Sequence, residues 1–79
     1  MTLPPIALIG GEGTMPHLVI NGIHSSGRTV CLLAIHGVTP PELAEKADEV
    51  VWLPLTRIGK AIKECLKRDV TEITMAGRV

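Results

Sequence analysis

Ile6-Ala7-Leu8-Ile9-Gly10-Gly11-Glu12-Gly13-Thr14-Met15-Pro16 carries the strongest local signal in the chain. Four apolar residues run without a polar break into a glycine pair, the pattern of a short strand buried on both faces of a parallel sheet. Pro4 and Pro5 fit only ahead of such a strand, because proline cannot donate to a ladder. The glycines then make a loop. Thr14 is a residue type that caps helices, and Pro16 suits a first helical turn, where its missing N–H has no partner to lose. The stretch therefore reads as strand, glycine loop, helix start.

Working outward, Met15, Leu18, Val19, Gly22 and Ile23 recur at helical spacing and predict one buried face, with His17, Asn21 and His24 opposite and Gly27 as terminator. A second apolar run, Thr29 to Ile35, is a second strand. Thr39, Pro40 and Glu42 have the arrangement of a capping box and predict a helix over about Pro40 to Ala47. Glu49 to Leu53 is a third strand, stopped by Pro54. Thr56 is placed to cap a third helix, whose apolar stripe is Ile58, Ala61, Ile62, Cys65 and Leu66, with Lys60, Lys63, Glu64 and Lys67 facing solvent. Glu72 to Ala76 is a fourth strand, followed by Gly77-Arg78-Val79. Strands alternating with helices imply a parallel sheet with crossover helices. The most economical topology is a half-Rossmann, three-layer α/β domain with strand order 3-2-1-4. In that order the chain reverses between strands one and four, and ligands of open α/β sheets bind at the carboxyl ends of the strands where the order reverses. The loop from Gly10 to Met15 and the segment Ala76-Gly77-Arg78 would meet there.

Seventy-nine residues make one domain and bury only about 60% of the unfolded surface, so the stability margin is thin. With 46% apolar residues there is material for a core and a surplus for an interface. Eight basic residues balance eight acidic ones, and Trp52 is the sole aromatic ring of the Phe/Trp/Tyr class. Such a chain lacks both the electrostatic footprint and the stacking platform of a nucleic-acid binder. Cys31 and Cys65 form no C-x-x-C motif, and no basic leader precedes an apolar stretch, so the expected location is the cytoplasm with reduced thiols.

Glycines let a backbone approach a ligand closely, and a helix start offers free N–H groups at the positive end of its dipole, so a phosphate or sugar phosphate is the natural guest of this loop. A nicotinamide or flavin fingerprint fits poorly. Gly11-x-Gly13 matches, but Pro16 stands where the third glycine belongs, and His36 rather than an acid closes strand two. No Gly-Lys-Ser/Thr follows, which excludes a P-loop. The alternative is that the glycines only make a tight turn. Arg78 follows a glycine at the point of reversal and can grip a phosphate with its forked donors. His36, at the carboxyl end of strand two, is a weaker site candidate. His17 and His24 lie seven residues apart on a helix, without a carboxylate or cysteine to complete a metal set, and read as solvated. Cys31 and Cys65 read as core, and Trp52 as a packing or interface residue.

Four stretches together resemble the LpxI family, the UDP-2,3-diacylglucosamine pyrophosphatases of lipid A synthesis. They are Ile6 to Pro16, Ala47-Asp48-Glu49-Val50-Val51-Trp52, Ile58-Gly59-Lys60-Ala61-Ile62-Lys63, and Met75-Ala76-Gly77-Arg78-Val79, where the family usually has lysine in place of the arginine. The resemblance implies a metal-dependent hydrolase, with a divalent cation such as Mg, that converts UDP-2,3-diacylglucosamine and water to lipid X and UMP. It implies two domains with the lipid product between them, and residues 1–79 correspond to the N-terminal one. The family's essential acidic residues lie in the C-terminal domain, so no catalytic residue and no metal ligand is carried over, and this chain alone is expected to be inactive and metal-free. What is carried over is a substrate-facing surface: Gly11, Gly13, Thr14, Pro16, Gly77 and Arg78.

The expected partners are an acylated phosphosugar and a C-terminal catalytic domain, with a homodimer and peripheral contact of the full enzyme with the inner membrane also compatible. No nucleic-acid partner is expected. A chain stopping after strand four suggests a truncated or separately made domain. Two other readings stay open: a stand-alone nucleotide-binding or regulatory module, and a purely structural interaction domain that dimerises through its apolar surface.

Overall fold

A computed structural model describes residues 4–67 and 72–78, with the side chain of Leu66 outside the description. Eight elements follow in order: β1 (Ile6–Gly10), α1 (Met15–Ser25), β2 (Val30–Ile35), α2 (Pro41–Lys46), β3 (Glu49–Leu53), a 3-10 turn (Leu55–Arg57), α3 (Ile58–Lys67) and β4 (Glu72–Ala76). The strands form one parallel sheet in the order β3-β2-β1-β4. The expected half-Rossmann topology is therefore the observed one.

Hydropathy explains which strands are central. Every residue of β1 and β2 is apolar or glycine and every one is buried. β3 and β4 begin on exposed glutamates and take the edges. Ile6, Leu8, Val30, Leu32 and Ala34 point to one face and pack under Ile20 and Ile23 of α1 and Leu43 of α2. Ala7, Ile9, Cys31, Leu33, Ile35 and Leu53 point to the other and meet Cys65 of α3, with Ile58, Ala61 and Ile62 around it. One face thus carries two helices and the other carries one. The six-residue α2 is too short to persist on helix propensity. Fully buried Leu43 holds it down, a burial worth about 1.5–3 kcal/mol.

The phase of α1 differs from the expectation. Its buried residues are Pro16, Ile20 and Ile23, whereas Met15 and Leu18 are more than half exposed and Gly22 is exposed. The helix has two overlapping apolar stripes, and packing of Pro16 beneath the loop selects the second. The three threonines expected to cap helices do not do so. Thr14 lies at the N-cap with helical dihedrals and no side-chain cap bond. Pro40, not Thr39, precedes α2. Thr56 sits inside the 3-10 turn that leads into α3. Gly27, by contrast, terminates α1 as expected. At φ +83° it lets the Arg28 N–H reach back to the Ile23 carbonyl at 3.2 Å, closing a Schellman-type end. Leu66, expected in the α3 stripe, and Val79 of the last motif have side chains outside the described residues.

Two polar clamps close the amino ends of the strands. Arg28 donates to the Pro4 carbonyl at 2.8 Å and pairs with Glu72 at 3.1 Å, tying the lead-in of β1 to the start of β4. Asp48 accepts the Val30 N–H at 2.8 Å while its own N–H reaches the Val30 carbonyl, which fixes the register of β3 on β2. The Val30 N–H, and after it His24 at 2.8 Å, hold the Asp48 carboxyl below the usual carboxylate range.

Candidate functional site

At the carboxyl ends of β1 and β4 the register places Gly10 beside Ala76, and the two chains stay paired beyond the strands. The Gly11 N–H donates to the Ala76 carbonyl at 2.9 Å. Glu12 and Arg78 then exchange both backbone bonds, 2.8 and 2.9 Å, as an isolated antiparallel bridge. The loop after β1 and the tail of β4 therefore form a backbone clasp across the point where the strand order reverses.

Glycine is required in this clasp for two separate reasons. A Cβ on Gly11 would lie 2.3 Å from the Arg78 carbonyl oxygen, so close approach of two backbones excludes any side chain. Gly77 has φ +92°, and a Cβ there would stand 2.7 Å from the Glu12 carbonyl oxygen and 2.8 Å from Cγ of Pro16. Behind the clasp, buried Thr39 accepts the Ile35 N–H at 2.7 Å and donates its hydroxyl proton to the Gly10 carbonyl, bridging the ends of β1 and β2.

The six residues expected to face substrate divide into two layers. Gly11 and Pro16 are buried and support the loop from beneath. Gly13, Thr14, Gly77 and Arg78 are exposed and form its lip. Gly13 turns the chain at φ +105° in open space. The amides of Gly13, Thr14 and Met15 donate to no backbone group among the described residues, as the first turn of a helix leaves them. Thr14 does not spend its hydroxyl on a cap, so that group is also available. Arg78 has no ion pair among the described residues. Glu12, opposite it in the bridge, makes the lip neutral overall, so anion binding there would rest on directed hydrogen bonds more than on net charge.

Other candidates lie elsewhere. His36 is exposed and stacks on Trp52, ring centroids 5.8 Å apart, on the β3 side of the sheet. His24 is engaged with Asp48. Cys31 and Cys65 are buried and not disulfide-bonded. Among the described residues no three His, Cys, Asp or Glu side chains are grouped to hold a metal ion, and no helix is long and apolar enough to cross a membrane. Two cavities, about 180 and 420 Å³, lie between β3 and α3, and neither is lined by the glycine loop.

Glu12 and Thr39 belong to this site's architecture but could not be picked out from the sequence. The bridge of Glu12 uses only backbone atoms, and the bond from Thr39 to Gly10 spans 29 residues. Thr39 is followed by Pro40-Pro41-Glu42, a context that points to capping.

No curated protein and no solved structure matches the chain. The family model described as the LpxI N-terminal domain matches residues 5–79, from the lead-in of β1 through the clasp. With that match spanning nearly all of the sequence, the chain belongs to the LpxI N-terminal domain family.

Proposed function

We propose that this domain is the substrate-holding half of a pyrophosphatase of lipid A biosynthesis, which hydrolyses UDP-2,3-diacylglucosamine to lipid X and UMP, and that it grips the phosphorylated, acylated sugar at the lip of the glycine loop. The observation that carries this reading is the clasp. It consumes the amides of Gly11, Glu12 and Arg78 and leaves the amides of Gly13, Thr14 and Met15 without a backbone partner among the described residues, beside exposed Arg78 at the reversal point. A phosphate oxygen accepts well from two or three such donors together with a forked guanidinium.

A further feature favours a ligand shared with another surface. Met15 and Leu18, exposed beside the loop, offer apolar area to an acyl chain or to a facing domain. The described residues supply no ligand set for the divalent cation this hydrolysis uses, so in this reading the cation and the water-activating groups come from the catalytic domain. The domain's part is to bind and orient. The enzyme would work in the cytoplasm, against the inner membrane that holds its lipid product.

Thermal unfolding with added ligands tests the reading. Lipid X or a short-acyl analogue at about 100 times its dissociation constant is expected to stabilise the domain by about 2.7 kcal/mol. Arg78→Ala should largely remove that response, and NAD should give none. Equal stabilisation by UMP or NAD alone would instead identify a nucleotide-binding module.

A further inference from the structure

The edge of the sheet away from the glycine loop is bare. β3 has no lysine, proline or bulge within Glu49–Leu53 to protect it from pairing with another chain, and its one charged residue, exposed Glu49, stands at its first position. Val51 and Trp52 on it are more than two-fifths exposed. Beside it runs a groove made of the two cavities, which share Val51, Ala61 and Glu64. Its floor is Leu33, Val51 and Leu53. At the end near the start of β3 it carries Glu49, at the end beyond Leu53 it carries Arg57 and Lys60, and Glu64 lies between them where the two cavities join. Lys63 and Lys67 of α3 do not line it.

A groove that is acidic at one end and basic at the other is complementary to itself under one operation: a two-fold axis normal to the sheet, which lays the strand against a copy running the opposite way. We propose that β3 pairs antiparallel with β3 of a second copy of this chain, giving a continuous eight-stranded sheet with Val51 at the axis. In that register Val50 lies opposite Trp52 of the second copy, twice over, an aromatic and β-branched pairing favoured across strands. Val50 and Trp52 share one face, and Val51 meets its own counterpart on the groove side. Arg57 and Lys60, past the end of one strand, come beside Glu49 at the start of the other. This surface is on the opposite edge from β4 and the glycine loop, so the proposal does not depend on the ligand reading.

Sedimentation equilibrium of the 79-residue chain, from micromolar to sub-millimolar concentration, tests it. Wild type is expected to reach twice the monomer mass. Val51→Lys, at an exposed position, is expected to weaken association by about 100-fold through like charges meeting at the axis, with an unchanged far-UV spectrum. A charge exchange decides the matter if that variant unfolds. Arg57→Glu with Lys60→Glu makes both ends acidic, and Glu49→Lys with Glu64→Lys makes both ends basic. Each double variant should be monomeric alone, and an equimolar mixture should recover the dimer. A wild type that stays monomeric throughout, a folded Val51→Lys variant that dimerises normally, or charge variants that fail to rescue each other would overturn the proposal.

Discussion

Gly11→Ala is expected to lower the unfolding free energy by about 3 kcal/mol. The added Cβ would fall 2.3 Å from the Arg78 carbonyl oxygen and 2.9 Å from its nitrogen, and both obstacles are backbone atoms that cannot rotate away. The tail of β4 has to lift off, and with it go the bonds from Gly11 to Ala76 and between Glu12 and Arg78, each worth about 1 kcal/mol net. A chain of this size holds roughly 4–12 kcal/mol in total, so the loss is a large share of its stability. Gly13→Ala is the control. Unlike Gly11 it sits at positive φ, but nothing lies within 4 Å of its Cβ position, and only a left-handed backbone penalty of about 1–2 kcal/mol applies. Urea midpoints with matched m-values check the pair, and equal losses at the two positions would show that the clasp contributes nothing beyond local strain.

Thr39→Val is expected to be nearly as damaging, at about 2–4 kcal/mol, although it exchanges groups of the same shape. The Thr39 hydroxyl serves two buried backbone groups at once, accepting from Ile35 and donating to Gly10. Valine leaves that donor and that acceptor without this partner in a region closed to water, and burying an unpaired backbone group costs about 1–3 kcal/mol. Thr39→Ser retains the hydroxyl and loses only a methyl, so its expected cost is about 1 kcal/mol. Denaturant unfolding of both variants checks this. A serine variant as unstable as the valine one would assign the position to packing instead.

The topology was legible because its causes are local and redundant. Uninterrupted apolar runs at Ile6–Gly10 and Val30–Ile35 can only be central strands, while Glu49 and Glu72 mark the starts of edge strands. The placement of the glycine loop against Gly77 and Arg78 followed from that topology alone. What the sequence did not disclose are features decided by contacts between distant segments. Thr14, Thr39 and Thr56 all have the composition of helix caps, yet Thr39 is drawn into the sheet by Gly10, and the chain enters α3 through a 3-10 turn that begins after Pro54. The face of α1 is set by Pro16 lodging under Gly77, so Ile20 is buried and Leu18 is not. The clasp itself is written in glycines, but a glycine needed for close backbone approach, such as Gly11, and one needed for a turn in open space, such as Gly13, have the same letter.

The clasp gives the lip its chemistry by using up some amides and presenting others. Amide-resolved NMR of the labelled domain, titrated with lipid X, tests that division directly. The account predicts saturable shifts at the amides of Gly13, Thr14 and Met15 and at the Arg78 side chain, with the Glu12 and Arg78 amides remaining protected from hydrogen exchange throughout. Shifts confined to the groove around Val51 and Ala61, or rapid exchange of the Glu12 and Arg78 amides in the free domain, would contradict it.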